Sequence, residues 1–498
     1  MGIIAKQGYW NFIVLYIGVI VGTVNNLILM PRALSPHELG VFSVLLSLML
    51  IGGQISLFGG PQTVIKFYPK FMHNQANGLV NYVLKNVIIS LIIAIAIFFL
   101  FKDYIVNAYS GQSSIFGKYY LIYIPLLTFF VFQEFFGGYL RSLLKTVHQS
   151  VIKDLISRVF QSGLFMLLLC KVIHFDQFLI FYVCGYLLNT LLYLKIIRKT
   201  VSYKINVPFE VPKKEKKSII KFSAAIFSTG VAGTLLSNID IIMIGAIAPI
   251  VMGFDGIELA GIYGRMAFMA ILILIPMRSV MNIATPVISA AWQQGDQKEL
   301  GSIYSKSSLT MSVIGVFTFL GIWINIDSVF LIFPEGFEVG KYAFLFLAIG
   351  NLIQAAMGAN GAIIWNSSYY WLSSITVPLL ALSIVIGNLI FIPKYGLIGA
   401  AVATAASRLI FAIITFLFLL IKYKMQPFSW RHLYTFGIAF GVILIVSYIP
   451  LFEHLILDIA IRSIVASILF IPAILLPKIS PDINGTAHKL LNRLNSKK

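Results

Sequence analysis

Apolar residues fill this chain in runs of about 20, each closed by a charge, a proline or an asparagine, and the runs recur along its whole length. Fourteen segments can be read, at roughly 8–30, 39–60, 79–101, 119–142, 150–171, 175–197, 222–249, 258–285, 307–333, 342–364, 369–392, 397–422, 433–452 and 457–477. Their length suits α-helices crossing a hydrocarbon core of about 30 Å, and the period-two alternation of a membrane β-barrel is missing. The expected fold class is an all-α polytopic membrane protein. Lys6 ahead of the first run gives a superficial likeness to a signal peptide. That run is too long, and it ends in Leu29-Met30-Pro31-Arg32 without a small-residue cleavage site, so it reads as a retained first helix.

The pattern also repeats itself. Residues 25–36 align without a gap on 238–249, pairing Asn25 with Asn238, Met30 with Met243, Ala33 with Ala246 and Pro36 with Pro249. After an insertion, Glu38-Leu39-Gly40-Val41-Phe42 meets Glu258-Leu259-Ala260-Gly261-Ile262-Tyr263. Each copy sits where the first segment of a six-segment set gives way to the second. A repeat of this period in a membrane protein points to two related bundles, and transporters are the common reason. Residues 1–200 are therefore expected to form one six-helix lobe and 222–424 a second, with 425–478 adding two further helices. Between the lobes, 201–221 carries Pro208, Pro212 and Lys213-Lys214-Glu215-Lys216-Lys217, which is too densely charged for hydrocarbon. It reads as a basic cytoplasmic linker, with a basic helix lying on the inner leaflet. A basic tail, 479–498, reads either as a lipid or partner contact or as a solvated topological anchor.

Composition agrees: 59% of residues are hydrophobic and 11% charged, against roughly 25% charged in a soluble protein. The mean hydropathy is +0.91. A net charge of +19 would admit nucleic acid as a partner, but the charge is unevenly placed. About 26 of the 37 Lys and Arg fall on one set of alternate loops plus both termini, and about 6 on the other. By the positive-inside rule both termini are cytoplasmic, and the excess is a topological signal with added attraction to anionic lipids rather than a nucleic-acid footprint. Cys170 and Cys184 read as small buried hydrophobes, neither disulfide-bonded nor metal-binding. The outer loops are short, with about 17 residues at most, near 102–118, so no segment can fold as a catalytic domain. Among the 7 His there is no metal-binding pair, and neither a Walker A stretch nor a G-x-S-x-G elbow occurs. The chain is not expected to be an enzyme or to carry a cofactor; an ion gradient, the membrane potential or the substrate gradient would drive transport.

Ionisable residues at mid-bilayer depth cost at least a few kcal/mol each, so every one needs a partner or a watery cavity. Asp240, in segment seven, follows Ser237 and Gly233 along one narrow stripe and reads as a proton or sodium site or gate contact, or as an interhelical pair. Glu134 and Arg141 share a face of segment four, two turns apart, and Glu134 reads as a coupling group or half of a structural ion pair with another helix. Arg265 and Arg278 in segment eight are separated by about 220° on an ideal helix, so both face one lumen only if Pro276 kinks or unwinds it. Arg265 is the better cavity cation. Arg408 stands mid-helix in segment twelve, and Lys66 lies just beyond segment two at the cytoplasmic entrance, as a cargo contact or a positive-inside anchor. Asn25, Asn26 and Asn238, at the outer ends of segments one and seven, complete the candidate cavity residues. Cations outnumber acids here, which suits an anionic cargo.

Three stretches then give a resemblance. Leu34-Ser35-Pro36-His37-Glu38-Leu39-Gly40-Val41-Phe42-Ser43, its echo Ala260-Gly261-Ile262-Tyr263 with Pro286-Val287-Ile288-Ser289, and Pro393-Lys394-Tyr395-Gly396-Leu397-Ile398-Gly399-Ala400-Ala401 resemble the bacterial polysaccharide (O-antigen type) flippases of the multidrug/oligosaccharidyl-lipid/polysaccharide exporter superfamily. The resemblance implies a V-shaped pair of six-helix lobes rocking between inward-facing and outward-facing states, with helices one, two, seven and eight lining the cavity and two C-terminal helices beside a lipid-facing groove. It implies an undecaprenyl-pyrophosphate-linked sugar repeat unit as cargo, coupling to H+ or Na+, and the bacterial cytoplasmic membrane as location. Membrane lipids, a polysaccharide polymerase and glycosyltransferases follow as partners. Three alternatives stay open: a cation-coupled drug antiporter, though segment one has no acid; a lipid II flippase, though no Arg cluster occurs in segments one and two; and a non-transporting scaffold of a glycan-assembly complex. At the aligned positions of the repeat, Asp240 replaces Leu27 and Arg265 replaces Val44, and specificity and coupling are expected in those changes.

Overall fold

The computed structural model describes residues 3–485 apart from 74, 111–113, 203, 205–206 and 370. The basic run 489–498 of the tail lies outside the described residues. Helices and their connections account for everything described, with no strand among the described residues. Among the described residues, twelve helices are long and apolar enough to cross a membrane. One of them, Ile375–Tyr423, contains two of the expected segments. Segment five is built from Thr146–Ser150, a π-helical turn Val151–Ile156 and α6, Ser157–Leu169.

The chain divides into two compact units, Met1–Ile262 and Tyr263–Lys498. The first opens with α1 (Ile3–Val24), a π-helical turn (Asn25–Leu29) and α2 (Pro36–Leu57). A capping box starts α2: the Ser35 amide donates to the Glu38 carboxylate at 2.9 Å, and the Glu38 amide donates to Ser35 Oγ at 3.3 Å. The second copy of the repeat starts α9 (Gly256–Ile271) the same way, with Asp255 and Glu258 exchanging bonds of 3.0 and 2.8 Å. The repeat is thus a pair of helix-start signals. Its glycines have a second use: a Cβ at Gly40 would fall 2.0 Å from the carbonyl oxygen of Ile257, so only glycine permits this backbone approach.

Left-handed backbone at Phe58 and Gly59 ends α2, and α3 (Gly60–Phe71) continues it, so Lys66 stands on a helix rather than in a loop. Next come α4 (Ala76–Leu100), α5 (Tyr123–Ser142), segment five and α7 (Phe175–Thr200). The following helix, α8, runs unbroken from Lys213 to Ile247, 35 residues and about 52 Å. The expected basic surface helix is therefore the first turns of α8 itself, because no breaker separates Lys213 from the apolar run while Pro212 fixes its start. α8 packs along α2 and α3 and belongs to the first unit. Cys170 and Cys184 are exposed on the outside of this unit rather than buried, and both are free thiols.

In the second unit a 3-10 turn, Leu272–Leu274, separates α9 from α10 (Ile275–Gln294), with Pro276 in the first turn of α10. This is the unwinding that the proline requires. α11 (Gln297–Trp323), α12 (Lys341–Ala356) and α13 (Trp371–Tyr423) follow, then α14 (Trp430–Ser447) and α15 (Leu455–Leu475). α13 breaks at Gly396, whose φ of 57° few other residues adopt, and a Cβ at Gly399 would fall 2.2 Å from the Phe391 carbonyl oxygen. Those two positions explain the glycines of the Pro393–Ala401 motif.

Candidate functional site: a polar cavity in the first helical unit

The first unit encloses a cavity of about 360 Å³ between α2, α5, segment five and α7. Glu134 of α5 reaches it with 17% of its side chain exposed, and its carboxylate accepts from Lys153 Nζ at 2.5 Å. The pair joins α5 to the start of segment five, the structural ion pair with another helix that the sequence allowed for Glu134, and Arg141 on its own helix takes no part in it. Beside it, Asn189 Nδ2 of α7 donates to Gln133 Oε1 at 2.8 Å and to Ser157 Oγ at 2.6 Å. Asp154 and Arg158, one turn apart, face each other at 3.8 Å.

The same helix turn ties α1 to the cavity wall. Arg158 Nη1 donates to the Gly18 carbonyl at 2.5 Å, Asn25 Nδ2 donates to the Arg158 carbonyl at 2.9 Å, and Ser162 Oγ donates to Asn25 Oδ1 at 2.6 Å. A Cβ at Gly18 would meet the Asp154 carbonyl oxygen at 2.5 Å, and one at Gly22 would meet Arg158 Nη1 at 2.2 Å. Two glycines a turn apart therefore admit the Asp154–Arg158 pair against the α1 backbone. Two π-helical turns, rare elements that concentrate at functional sites, flank this contact: Asn25–Leu29 packs on α6, and Val151–Ile156 packs on α1. Chemically, the cavity offers a carboxylate that can exchange a lysine for a proton or a small cation, among neutral amide and hydroxyl oxygens that could ligate one.

The other candidate residues lie elsewhere. Asn25 is 1% exposed and serves the α1–α6 contact, whereas Asn26 and Asn238 each donate to the carbonyl four residues earlier, Gly22 at 2.8 Å and Thr234 at 2.9 Å. Asp240 is buried on α8, 6% exposed, and does not line this cavity. Lys66 Nζ stands 3.8 Å above the Phe222 ring, a cation–π contact between α3 and α8. Arg265 is buried, 6% exposed, while Arg278 is exposed. Arg408 donates to Asn351, whose own amide donates to the Ala270 carbonyl at 2.7 Å, so a buried asparagine holds this guanidinium in the second unit. That unit also buries Asp458 and Arg462 at 2.9 Å, with Ser328 and the Phe452 amide completing the carboxylate. No charge there is left over, which marks a clamp between α14 and α15 rather than a binding site.

Sequence reasoning missed Lys153, Asp154, Arg158, Gln133 and Asn189. The available signal was Lys153-Asp154 with Arg158 at i+4 inside an apolar run.

A curated relative, the probable low-salt glycan biosynthesis flippase Agl15 of Haloferax volcanii, is 24% identical over 251 residues. The match takes in 48% of this chain and 51% of the relative, so the chain spans about half the length of the curated relative it matches. Among solved structures, the inward-facing conformation of a multidrug resistance MATE family transporter of the MOP superfamily superimposes with a TM-score of 0.60 at 14% identity, over 82% of this chain and 94% of that one. A MOP superfamily transporter from Pyrococcus furiosus gives 0.51 at 15% identity, over 85% and 97%. These likenesses establish the all-helical transporter fold. The family described as polysaccharide biosynthesis protein matches residues 4–292, more than half of the sequence, and the chain belongs to that family.

Proposed function

We propose that this protein flips a lipid-linked oligosaccharide, with undecaprenyl pyrophosphate as the carrier, from the cytoplasmic to the periplasmic leaflet for surface polysaccharide assembly. Membership of the polysaccharide biosynthesis family carries the reading, and the flippase name of the haloarchaeal relative supports it. Sugar and diphosphate cannot cross hydrocarbon uncompensated, so a transporter must offer cations and hydrogen bonds while the polyprenyl chain stays in lipid. Arg265, Arg278, Arg408 and Lys66, with Asn25, Asn26 and Asn238, are the candidate cargo contacts in this proposal. Asp240 and Glu134 are the candidates for coupling to H+ or Na+, and Glu134 can act by trading Lys153 for the ion. The protein then sits in a bacterial cytoplasmic membrane with both termini cytoplasmic, its fourteen crossings arranged as two six-helix lobes, 1–200 and 222–424, plus two C-terminal helices. Polysaccharide polymerase and glycosyltransferases are the expected neighbours.

Purified protein in liposomes, loaded with fluorescent polyprenyl-diphosphate oligosaccharide, tests this directly. Protein-dependent exposure of inner-leaflet sugar to an external lectin is the expected result. Vesicles that show no acceleration under any ion gradient would remove the flippase reading, and ethidium extrusion from the same vesicles would establish the drug antiporter in its place.

A further inference from the structure

The second large cavity of the first unit, about 980 Å³, lies between α4, α7 and the chain entering α8. Three cations line it: Lys85 on α4, Arg198 near the end of α7 and Lys216 in the first turns of α8. Glu210 is the acid on its wall. Among the described residues none of the three cations forms an ion pair, whereas the nearby Glu215 is taken by Lys70 at 3.0 Å. Lys85, exposed, is the single charge on α4, whose other polar groups are the amides of Asn77, Asn81 and Asn86 and the hydroxyls of Tyr82 and Ser90, and a lone cation there needs an anion or water.

The wall on the linker side is built, not slack. Asn77 Nδ2 donates to the Ser202 carbonyl at 3.1 Å and Asn81 Nδ2 to the Lys204 carbonyl at 3.0 Å. Phe209 is buried against Phe71 and Tyr82, with ring centroids 5.1 and 5.5 Å away. The backbone comes so close that a Cβ at Gly78 would lie 2.7 Å from the Pro208 carbonyl oxygen. On its other side the cavity runs out past Ile88 and Ile89, which are 36% and 46% exposed on the apolar outer face of α4. A rigid, net-cationic pocket that opens sideways onto an apolar helix face fits an amphiphile with an anionic head.

We propose that this cavity holds the phosphate head of one resident anionic glycerophospholipid, with Lys85, Arg198 and Lys216 around the phosphate and an acyl chain lying along Ile88 and Ile89. The proposal stands apart from the transport reading, since it uses none of the candidate cargo or coupling residues. Occupancy by such a lipid would neutralise the cations and fasten the linker to α4 and α7.

The test uses the full chain in nanodiscs of phosphatidylcholine containing spin-labelled phosphatidylglycerol, reading the motionally restricted fraction. Each cation near an anionic lipid contributes about fivefold, so Lys85→Gln/Arg198→Gln/Lys216→Gln should weaken retention of the labelled lipid roughly a hundredfold. The charge-conserving Lys85→Arg/Arg198→Lys/Lys216→Arg should retain it, which separates lost charge from lost fold. Lys213→Gln/Lys214→Gln/Lys217→Gln removes the same charge outside the cavity and should leave retention near wild type. Equal loss in both Gln triples would reduce the site to diffuse attraction and overturn the proposal. So would wild-type retention in the first triple, or displacement of the label by polyprenyl diphosphate but not by unlabelled phosphatidylglycerol, which would assign the cavity to the cargo carrier.

Discussion

Glu134 and Lys153 give the sharpest test of the first unit's cavity. Their side chains are 17% and 40% exposed, between a surface pair worth about 0–1 kcal/mol and a buried one whose disruption costs about 3–5 kcal/mol. The cavity of about 360 Å³ has room for on the order of ten waters at ~30 Å³ each, so an orphaned partner can be partly rehydrated. Glu134→Gln should then cost about 1–3 kcal/mol, and Lys153→Met somewhat less because that side chain is the more exposed. In a unit of this size, that corresponds to a fall in Tm of roughly 2–4 °C per kcal/mol. The double variant removes both charges and leaves nothing unpaired, so its cost should be smaller than the sum of the singles by about 1–2 kcal/mol. The assay is thermal unfolding of purified protein in one detergent at one scan rate, with all four proteins side by side. Additivity within about 0.5 kcal/mol would show that the two groups do not interact energetically, and the argument for a charge-exchanging cavity would fail.

Three other outcomes are expected. Gly18→Ala places a methyl against the Asp154 carbonyl and should destabilise the protein by about 1–3 kcal/mol, whereas Gly163→Ala, with open space around it, should be neutral or stabilising; matched Tm values would contradict the close helix contact. Arg265→Ala should impair export at unchanged membrane abundance, and equal export at matched abundance would remove it from the cargo site. Asp240→Asn should flatten the dependence of transport on the proton or sodium gradient, and an unchanged dependence in vesicles would rule out a coupling role.

Much of the fold was legible because its signals are local. The apolar runs mark the helices, Ser35-x-x-Glu38 and Asp255-x-x-Glu258 mark two helix starts, and Gly396 marks the break in α13. The cavity was harder to read, for a geometric reason. Lys153 and Asp154 stand near the start of segment five and look like boundary charges, but the π-helical turn at Val151–Ile156 changes their phase and brings them to the wall shared with α5 and α1. Likewise, the sequence allows Glu134 an ion pair with another helix, but only the tertiary arrangement names Lys153 as the partner. Partners that come from other helices leave no trace in the spacing along one.

The same effect separates the two copies of the repeat. Asn25 and Asn238 align, yet Asn25 lies in a π-helical turn and is buried against α6, while Asn238 lies in uninterrupted α-helix and bonds its own helix, as Asn26 does. One extra residue per turn rotates the first copy by a fraction of a turn, which is enough to convert a helix-facing amide into an interhelical tie. In the first copy that tie joins α1 to the Asp154–Arg158 pair and stiffens the cavity. The second copy lacks the π turn and carries Asp240 two residues after its asparagine, where the first copy has Leu27. Equivalent positions therefore do different work because helix pitch differs. Restoring regular pitch by deleting one residue within Asn25–Leu29 should release Asn25 from Arg158 and Ser162. Loss of the α1–α6 contact in that variant, read as faster cysteine labelling at Ser162→Cys with Cys170→Ser and Cys184→Ser removing the two exposed thiols, is the result this asymmetry requires; unchanged labelling would show that the π turn does not set the tie.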